Sequence, residues 1–170
     1  GWGEGLVAEM FAGGFQPGVR TWFARQIVAA VDEAMTNISP ASIGSGRFNA
    51  PGFVRNRLVG DKGRVDDQFV FTVLRNANGG SAVMGVYGAH ATVLSGRVMQ
   101  FSADYPGYWQ RKVEEQTHGL AMFLAGGVGS HGPNAKGGGF EGAQRMGEAL
   151  AEETLNRLLE VKGVSETTLG

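Results

Sequence analysis

Cysteine is absent from the 170 residues. That excludes disulfide scaffolds, thiolate zinc sites and cysteine nucleophiles. Proline is scarce, at 5, so the chain is neither collagen-like nor a Pro/Gly linker. Charge of one sign is also missing: 15 basic residues stand against 16 acidic ones, for a net charge of −1 and a pI near 6.3. No net electrostatic drive toward nucleic acid or anionic lipid follows from such a balance. Long hydrophobic runs are missing too. The longest, Ala82 to Leu94, is interrupted by His90 and two glycines and is too short to span a bilayer. The start, Gly1-Trp2-Gly3-Glu4, carries no initiator Met, basic segment or apolar signal core, and we expect it to lie inside a longer protein.

What the chain has in excess is glycine: 29 residues, about 17% where about 7% is usual. Glycine at this level points to tight turns, close backbone approach, or loops wrapped around a ligand. Apolar residues at 42% and charged residues at 18% are too apolar and too weakly charged for disorder. The length suffices for a real core.

Periodicity gives a coarse element order. The first eighteen residues are punctuated by glycine, with at most a short helix around Leu6–Phe11. Val19, Trp22, Phe23, Ile27, Ala30, Val31 and Ala34 fall three or four apart and predict a helix over Val19–Met35 whose stripe suits a core. Asn37 and Pro40 end it. Ser42–Val59 reads as short extended pieces broken by Gly44, Gly46, Pro51 and Gly52. Gln68–Leu74 predicts a strand buried on both faces; Asn76–Gly80 is a hairpin turn and Ala82–Tyr87 the returning strand. A short strand is expected at Met99–Ala103, then a helix from Pro106 to Thr117 capped by His118-Gly119. Leu120–Ala125 reads as another buried strand, Gly126–Gly139 as a long loop with seven glycines, and Glu141–Glu160 as a helix with the stripe Ala143, Gly147, Leu150, Ala151, Thr154, Leu158. Residues 163–170 are expected to fray. Strands alternating with helices imply an α/β (α+β) fold, a mixed sheet layered with helices. No internal boundary is evident, so residues 1–170 read as a single region.

Three histidines, a glycine loop and an arginine carry the candidate chemistry. His90 follows a strand and is flanked by small residues; it suits a metal ligand or general base, or a buried ring satisfied by a backbone carbonyl. His118 sits in the last turn of a helix and suits the helix dipole. Ser130-His131 suggests a nucleophile and its base, although adjacent side chains ordinarily diverge, and Val128 stands where a nucleophile elbow has glycine. The same loop holds a formal G-x-G-x-x-G, but Pro133 and Asn134 follow where a dinucleotide site needs a helix, and Lys136 precedes Gly137 rather than Ser or Thr. A loop that cradles an oxyanion or substrate is the more economical reading. Arg57 can hold a carbonyl or carboxylate, or can be a solvated charge. Asp104 can cap the next helix or orient a metal-ligating histidine.

Five stretches, in order and over nearly the whole chain, resemble the catalytic N-terminal region of the neutral/alkaline (non-lysosomal) ceramidase family. Arg55-Asn56-Arg57 is similar to its Asn-Arg-Ser segment, and Asp61 through Arg75 to its charged turn and following strand. Gly79-Gly80 through His90-Ala91-Thr92 is similar to the strand ending in a zinc-ligating His-Gly-Thr. Ser102 to Gly107 is similar to Ser-Gly-Asp-Asn-Lys-Gly, and Phe123 to Asn134 to the glycine-rich stretch ending in Asp-Val-Ser-Pro-Asn. The resemblance implies a zinc-dependent amidase that cleaves the N-acyl bond of ceramide or a related N-acyl lipid. It implies His90 as a zinc ligand and Arg57 as a substrate-site residue. Beside these, the loop supplies Gly129, Gly132 and Asn134 as substrate-binding candidates and Ser130 and His131 as catalytic candidates. It also implies an exported or cell-surface location.

Two departures qualify the carry-over. The family's serine aligns on Gly132, with Ser130 displaced by two residues, so a metal-activated water is the simpler nucleophile. The family's other metal ligands fall outside these residues, and a catalytic zinc needs about three protein ligands. The expectation is therefore a fragment of a ceramidase-like catalytic domain that needs flanking parts of its parent protein, with no nucleic-acid partner and no transmembrane segment. A non-catalytic binding or scaffold domain of the same fold is the alternative, and a nucleotide-binding module a distant third.

Overall fold

The computed structural model describes residues 4–165, and the chain divides into two compact units, residues 1–39 and 40–170. The first unit holds helix α1 (Leu6–Ala12) and helix α2 (Pro17–Thr36). Proline opens α2, where its missing N–H has no partner to lose. Asn37 closes it, with the cap N–H bonded to the Ala34 carbonyl. The predicted helix is present, but none of its residues is buried. Its apolar stripe lies open, not in a core.

The second unit is a four-stranded mixed sheet, in the order β1 (Ala41–Asn49), β3 (Gln68–Asn76), β4 (Ser81–Tyr87), β5 (Leu120–Ala125), with helices α3 (Asp104–Thr117) and α4 (Gly139–Leu158), plus a two-stranded ribbon of β2 (Val54–Asn56) and β6 (His131–Pro133). Strands β1, β3 and β4 run antiparallel, and β5 lies parallel to β4. The parallel step demands a crossover, which α3 supplies. The hairpin between β3 and β4 is locked by Asn76, whose Oδ1 accepts the N–H groups of Asn78 and Gly80. His118, in the left-handed conformation, ends α3 as expected.

Every second residue of the central strands points to one face. There Phe69, Phe71, Val83 and Tyr87 meet Trp109, Tyr105 and Val113 of α3, and Met146, Leu150 and Ala151 of α4 (Gly139–Leu158). The two helices touch through Gly147, where a Cβ would press on the Tyr105 carbonyl oxygen and lie 2.9 Å from the Trp109 nitrogen. The α4 stripe read from the sequence is buried throughout.

Elsewhere the second unit departs from the sequence pattern at four places. Ser42–Val59 does break at Pro51 and Gly52, which lie in a single helical turn after β1, but Gly44 and Gly46 do not break it: both sit inside one nine-residue strand, β1. Gly46 is there because a side chain would strike the Phe71 ring on the neighbouring strand. Strands β3 and β5 are not covered on both faces; Val70, Leu74, Leu120, Met122 and Leu124 are exposed, because both helices of this unit pack on the other side. Met99–Ala103 forms no strand; Met99 and Phe101 stand in solvent with no partner strand to satisfy an edge. Finally, residues 163–165 do not all fray, since Val164 exchanges two hydrogen bonds with Ile43. The rest of that expected tail, 166–170, lies outside the described residues, as do residues 1–3.

Candidate functional site

The candidate residues gather where the β2–β6 ribbon meets the end of β4. Strand β2 (Val54–Asn56) pairs with β6 (His131–Pro133), with Arg55 opposite Gly132 and Asn56 opposite His131. The glycine-rich loop is therefore not wholly irregular, as its composition suggests. Arg57 prolongs the ladder by donating its backbone N–H to the Ser130 carbonyl, 2.9 Å away. Asn56 shapes the turn after it: its Oδ1 accepts from Leu58 and Val59, and its Nδ2 donates to the Arg64 carbonyl. The backbone N–H of His90 reaches the His131 carbonyl at 3.3 Å. Arg57, His90, Ser130, His131 and Gly132 thus share one region.

The hydrogen bonds fix the chemistry of both imidazoles. Arg57 Nη1 lies 3.2 Å from His90 Nδ1. A guanidinium only donates, so Nδ1 is the acceptor and the neutral ring carries its proton on Nε2. His131 Nε2 accepts the backbone N–H of Asp66 at 2.8 Å. Its Nδ1 therefore carries the proton and faces the Gly127 carbonyl at 3.0 Å and Ser130 Oγ at 2.9 Å. Ser130 and His131 do meet, despite being neighbours in sequence. The nitrogen that faces the serine, however, is the protonated one, and it has no lone pair with which to take the hydroxyl proton.

Asn134 and Gly129 stand apart from this group. Asn134 donates its backbone N–H to the Phe53 carbonyl and lines a neighbouring cleft with Lys136 and Arg145. Gly129 is exposed, with open space where a side chain would stand. Asp104 is buried and binds no histidine: Oδ2 accepts from the Leu94 N–H at 2.8 Å and Oδ1 from the Tyr105 N–H at 2.7 Å. It stitches the 91–98 loop to the start of α3, where a carboxylate also suits the helix dipole. Below the site, Tyr87 donates to the Ala50 carbonyl and Tyr105 to the Ala89 carbonyl. Burial, followed by the charges of Asp67 and Asp66, pushes the Tyr87 hydroxyl well above its usual pKa. Burial also raises Tyr105, with smaller contributions from Tyr87 and Asp104.

The chain is similar in fold to two solved structures. One is the neutral ceramidase from Pseudomonas aeruginosa, at a TM-score of 0.74 and 20% identity over 91% of this chain and 28% of that one. The fold is that of a neutral ceramidase region. The other is a ceramidase complexed with C2, at a TM-score of 0.63 and 18% identity over 74% of this chain and 23% of that one. The chain thus spans about a quarter of the length of the ceramidases it matches. No protein-family model and no curated protein matches the sequence. The mixed sheet with flanking helices agrees with the fold class expected from the sequence.

The residues present do not by themselves fit a zinc ion. Among the described residues no group of three or more His, Asp or Glu could hold a metal, and the Nδ1 of His90 is taken by Arg57. Sequence reasoning missed Arg55, Thr92 and Asp66. Arg55 and Thr92 line a cavity of about 280 Å³ together with Arg57 and Gly132. The alternation of Arg55 with Arg57 along an extended segment places both on one side; that spacing was the available signal.

Proposed function

We propose that this chain forms part of the active centre of a ceramidase-like amide hydrolase acting on ceramide or another N-acyl lipid. The observation that carries the reading is the convergence of Arg57 and His90 on the β2–β6 ribbon, within a fold shared with a neutral ceramidase. Arg57 is placed to turn from the His90 ring toward a substrate carbonyl, where a guanidinium stabilises developing negative charge. His90, once released, offers its Nδ1 lone pair to a proton or a metal. Ser130 and His131 act here as a tie between the loop and Asp66, and the attacking group is a water rather than Ser130. If zinc serves this reaction, His90 is the one ligand this chain supplies, and the others come from flanking parts of the parent protein.

Residues 1–170 are accordingly a fragment of a catalytic region. The open apolar face of the sheet, with Leu74, Met84, Leu120 and Met122 between 39% and 73% exposed, supports this: a monomer rarely leaves so contiguous a patch to water. Among the described residues no helix is long and apolar enough to cross a membrane. A second reading, a non-catalytic lipid-binding or scaffold domain, is favoured by Gly132 in place of a serine and by the occupied lone pair of His131.

The deciding experiment measures hydrolysis of an N-acyl sphingosine analogue by the full-length protein, with His90→Ala and Ser130→Ala beside it. The expected result is activity that His90→Ala abolishes and Ser130→Ala retains. No hydrolysis in a folded full-length protein, or hydrolysis indifferent to His90→Ala, discards the hydrolase reading.

A further inference from the structure

Two guanidinium groups in one small cavity need an explanation. Arg55 and Arg57 both line the 280 Å³ cavity, with Thr92 and the backbone of Gly132 and Gly138 as other walls. Neither arginine has a carboxylate partner among the described residues; the ion pairs there all use Lys112, Arg145 or Arg157. Arg55 holds only the Pro133 carbonyl, through Nε at 3.3 Å, which leaves both terminal nitrogens available. Arg57 uses one terminal nitrogen on His90. Both side chains are exposed, so water screens the repulsion between these like charges, and an anion shared between them turns it into attraction.

Gly132 makes the room. A Cβ there would lie 3.6 Å from Arg57 Cβ and 3.9 Å from Arg55 Nε, in ordinary contact. The backbone does not require glycine, so what its missing side chain provides is space between the two arginines.

We propose that this cavity is an oxyanion-binding site for a tetrahedral anion of the phosphate class, held by Arg55 and Arg57 in the gap above Gly132. On an N-acyl lipid the same group would be a phosphorylated headgroup; in solution it would be free phosphate. The inference deepens the amide-hydrolase reading by naming a headgroup. It does not need turnover, so binding and hydrolysis fail separately.

The test is isothermal titration of the full-length protein with three probes: inorganic phosphate, a short-chain N-acyl amino alcohol, and the phosphate monoester of that amino alcohol. Arg55→Gln and Gly132→Val are measured beside the parent, with thermal unfolding to confirm that each folds. The first removes a guanidinium, and the second fills the gap while keeping both charges. Phosphate-bearing probes are expected to bind, and either variant to weaken them about tenfold or more, Arg55→Gln by loss of a charge-assisted hydrogen bond and Gly132→Val by occupying the space the anion needs. A monoester that outbinds inorganic phosphate identifies a lipid headgroup; equal affinities identify free phosphate. Absence of phosphate binding, or binding that neither folded variant weakens, overturns the proposal.

Discussion

Arg57 donates a hydrogen bond to His90 across 3.2 Å, from Nη1 to Nδ1. The two residues are 33 positions apart and meet because β2 and β6 carry one to the end of the strand that carries the other. The neutral His90 ring should therefore hold its proton on Nε2, a tautomer that nitrogen-15 NMR distinguishes. Arg57→Leu should remove that preference. For the same reason residues 1–170 alone should bind zinc no better than a chain of scattered histidines. A stoichiometric, tight zinc site in this segment would contradict the hydrogen-bond assignment.

His131 is predicted to matter for stability and Ser130 to matter little. Replacing His131 with Ala removes the partner of the Asp66 N–H and of the Gly127 carbonyl, and because both groups are exposed to water the net cost is about 0.5–1.5 kcal/mol. Ser130→Ala removes only a contact with a nitrogen already satisfied by Gly127, and should change stability by less than about 0.5 kcal/mol. Urea unfolding of the two variants checks both. Equal losses would mean that the serine, too, is part of the tie.

Two glycines should answer differently to substitution. At Gly147 a methyl meets backbone of the facing helix, the Tyr105 carbonyl and the Trp109 nitrogen, and neither can turn aside. Gly147→Ala should destabilise by about 1–3 kcal/mol through overpacking. At Gly132 the same methyl finds ordinary contact, so Gly132→Ala should be neutral or stabilising by up to about 1 kcal/mol. Thermal unfolding of the pair decides it; a larger loss at Gly132 would show that the ribbon is tighter than its geometry.

The contrast between these glycines also explains what could be read in advance. Stripes with a clean period were legible: Ala143 to Leu158 predicted a buried helix face, and that face is buried. The hairpin at Asn76–Gly80 was legible because its turn chemistry is local. What escaped depended on partners far away in sequence. Gly46 looked like a break, yet it is a strand residue facing Phe71. Likewise β6 looked like loop because His131-Gly132-Pro133 has no strand propensity, and it pairs only because β2 comes alongside. Arg57 and His90 were each legible as candidates by type and position. Their contact, and the role of Asp66 in fixing the His131 tautomer, were not, since a backbone N–H leaves no mark in a sequence.

Alkaline pH should weaken the fold through Tyr87 and Tyr105. Burial raises both hydroxyls above their ordinary value, with nearby carboxylate charge adding to it. In the unfolded chain each tyrosine loses its proton at about pH 10, while in the fold each stays protonated and donates to Ala50 or Ala89. Above that pH the unfolded state binds fewer protons than the folded state, so stability falls as pH rises. Below it the two states bind the same number and these groups contribute no slope. Urea unfolding between about pH 8 and 11 should therefore show stability flat at first and declining above the free-tyrosine value. Tyr105→Phe should start lower by about 1 kcal/mol, for the lost hydrogen bond, and decline less steeply. Stability that stays level to the alkaline end, or a variant as steep as the parent, would show that the Tyr105 hydroxyl ionises in the fold as freely as in the open chain.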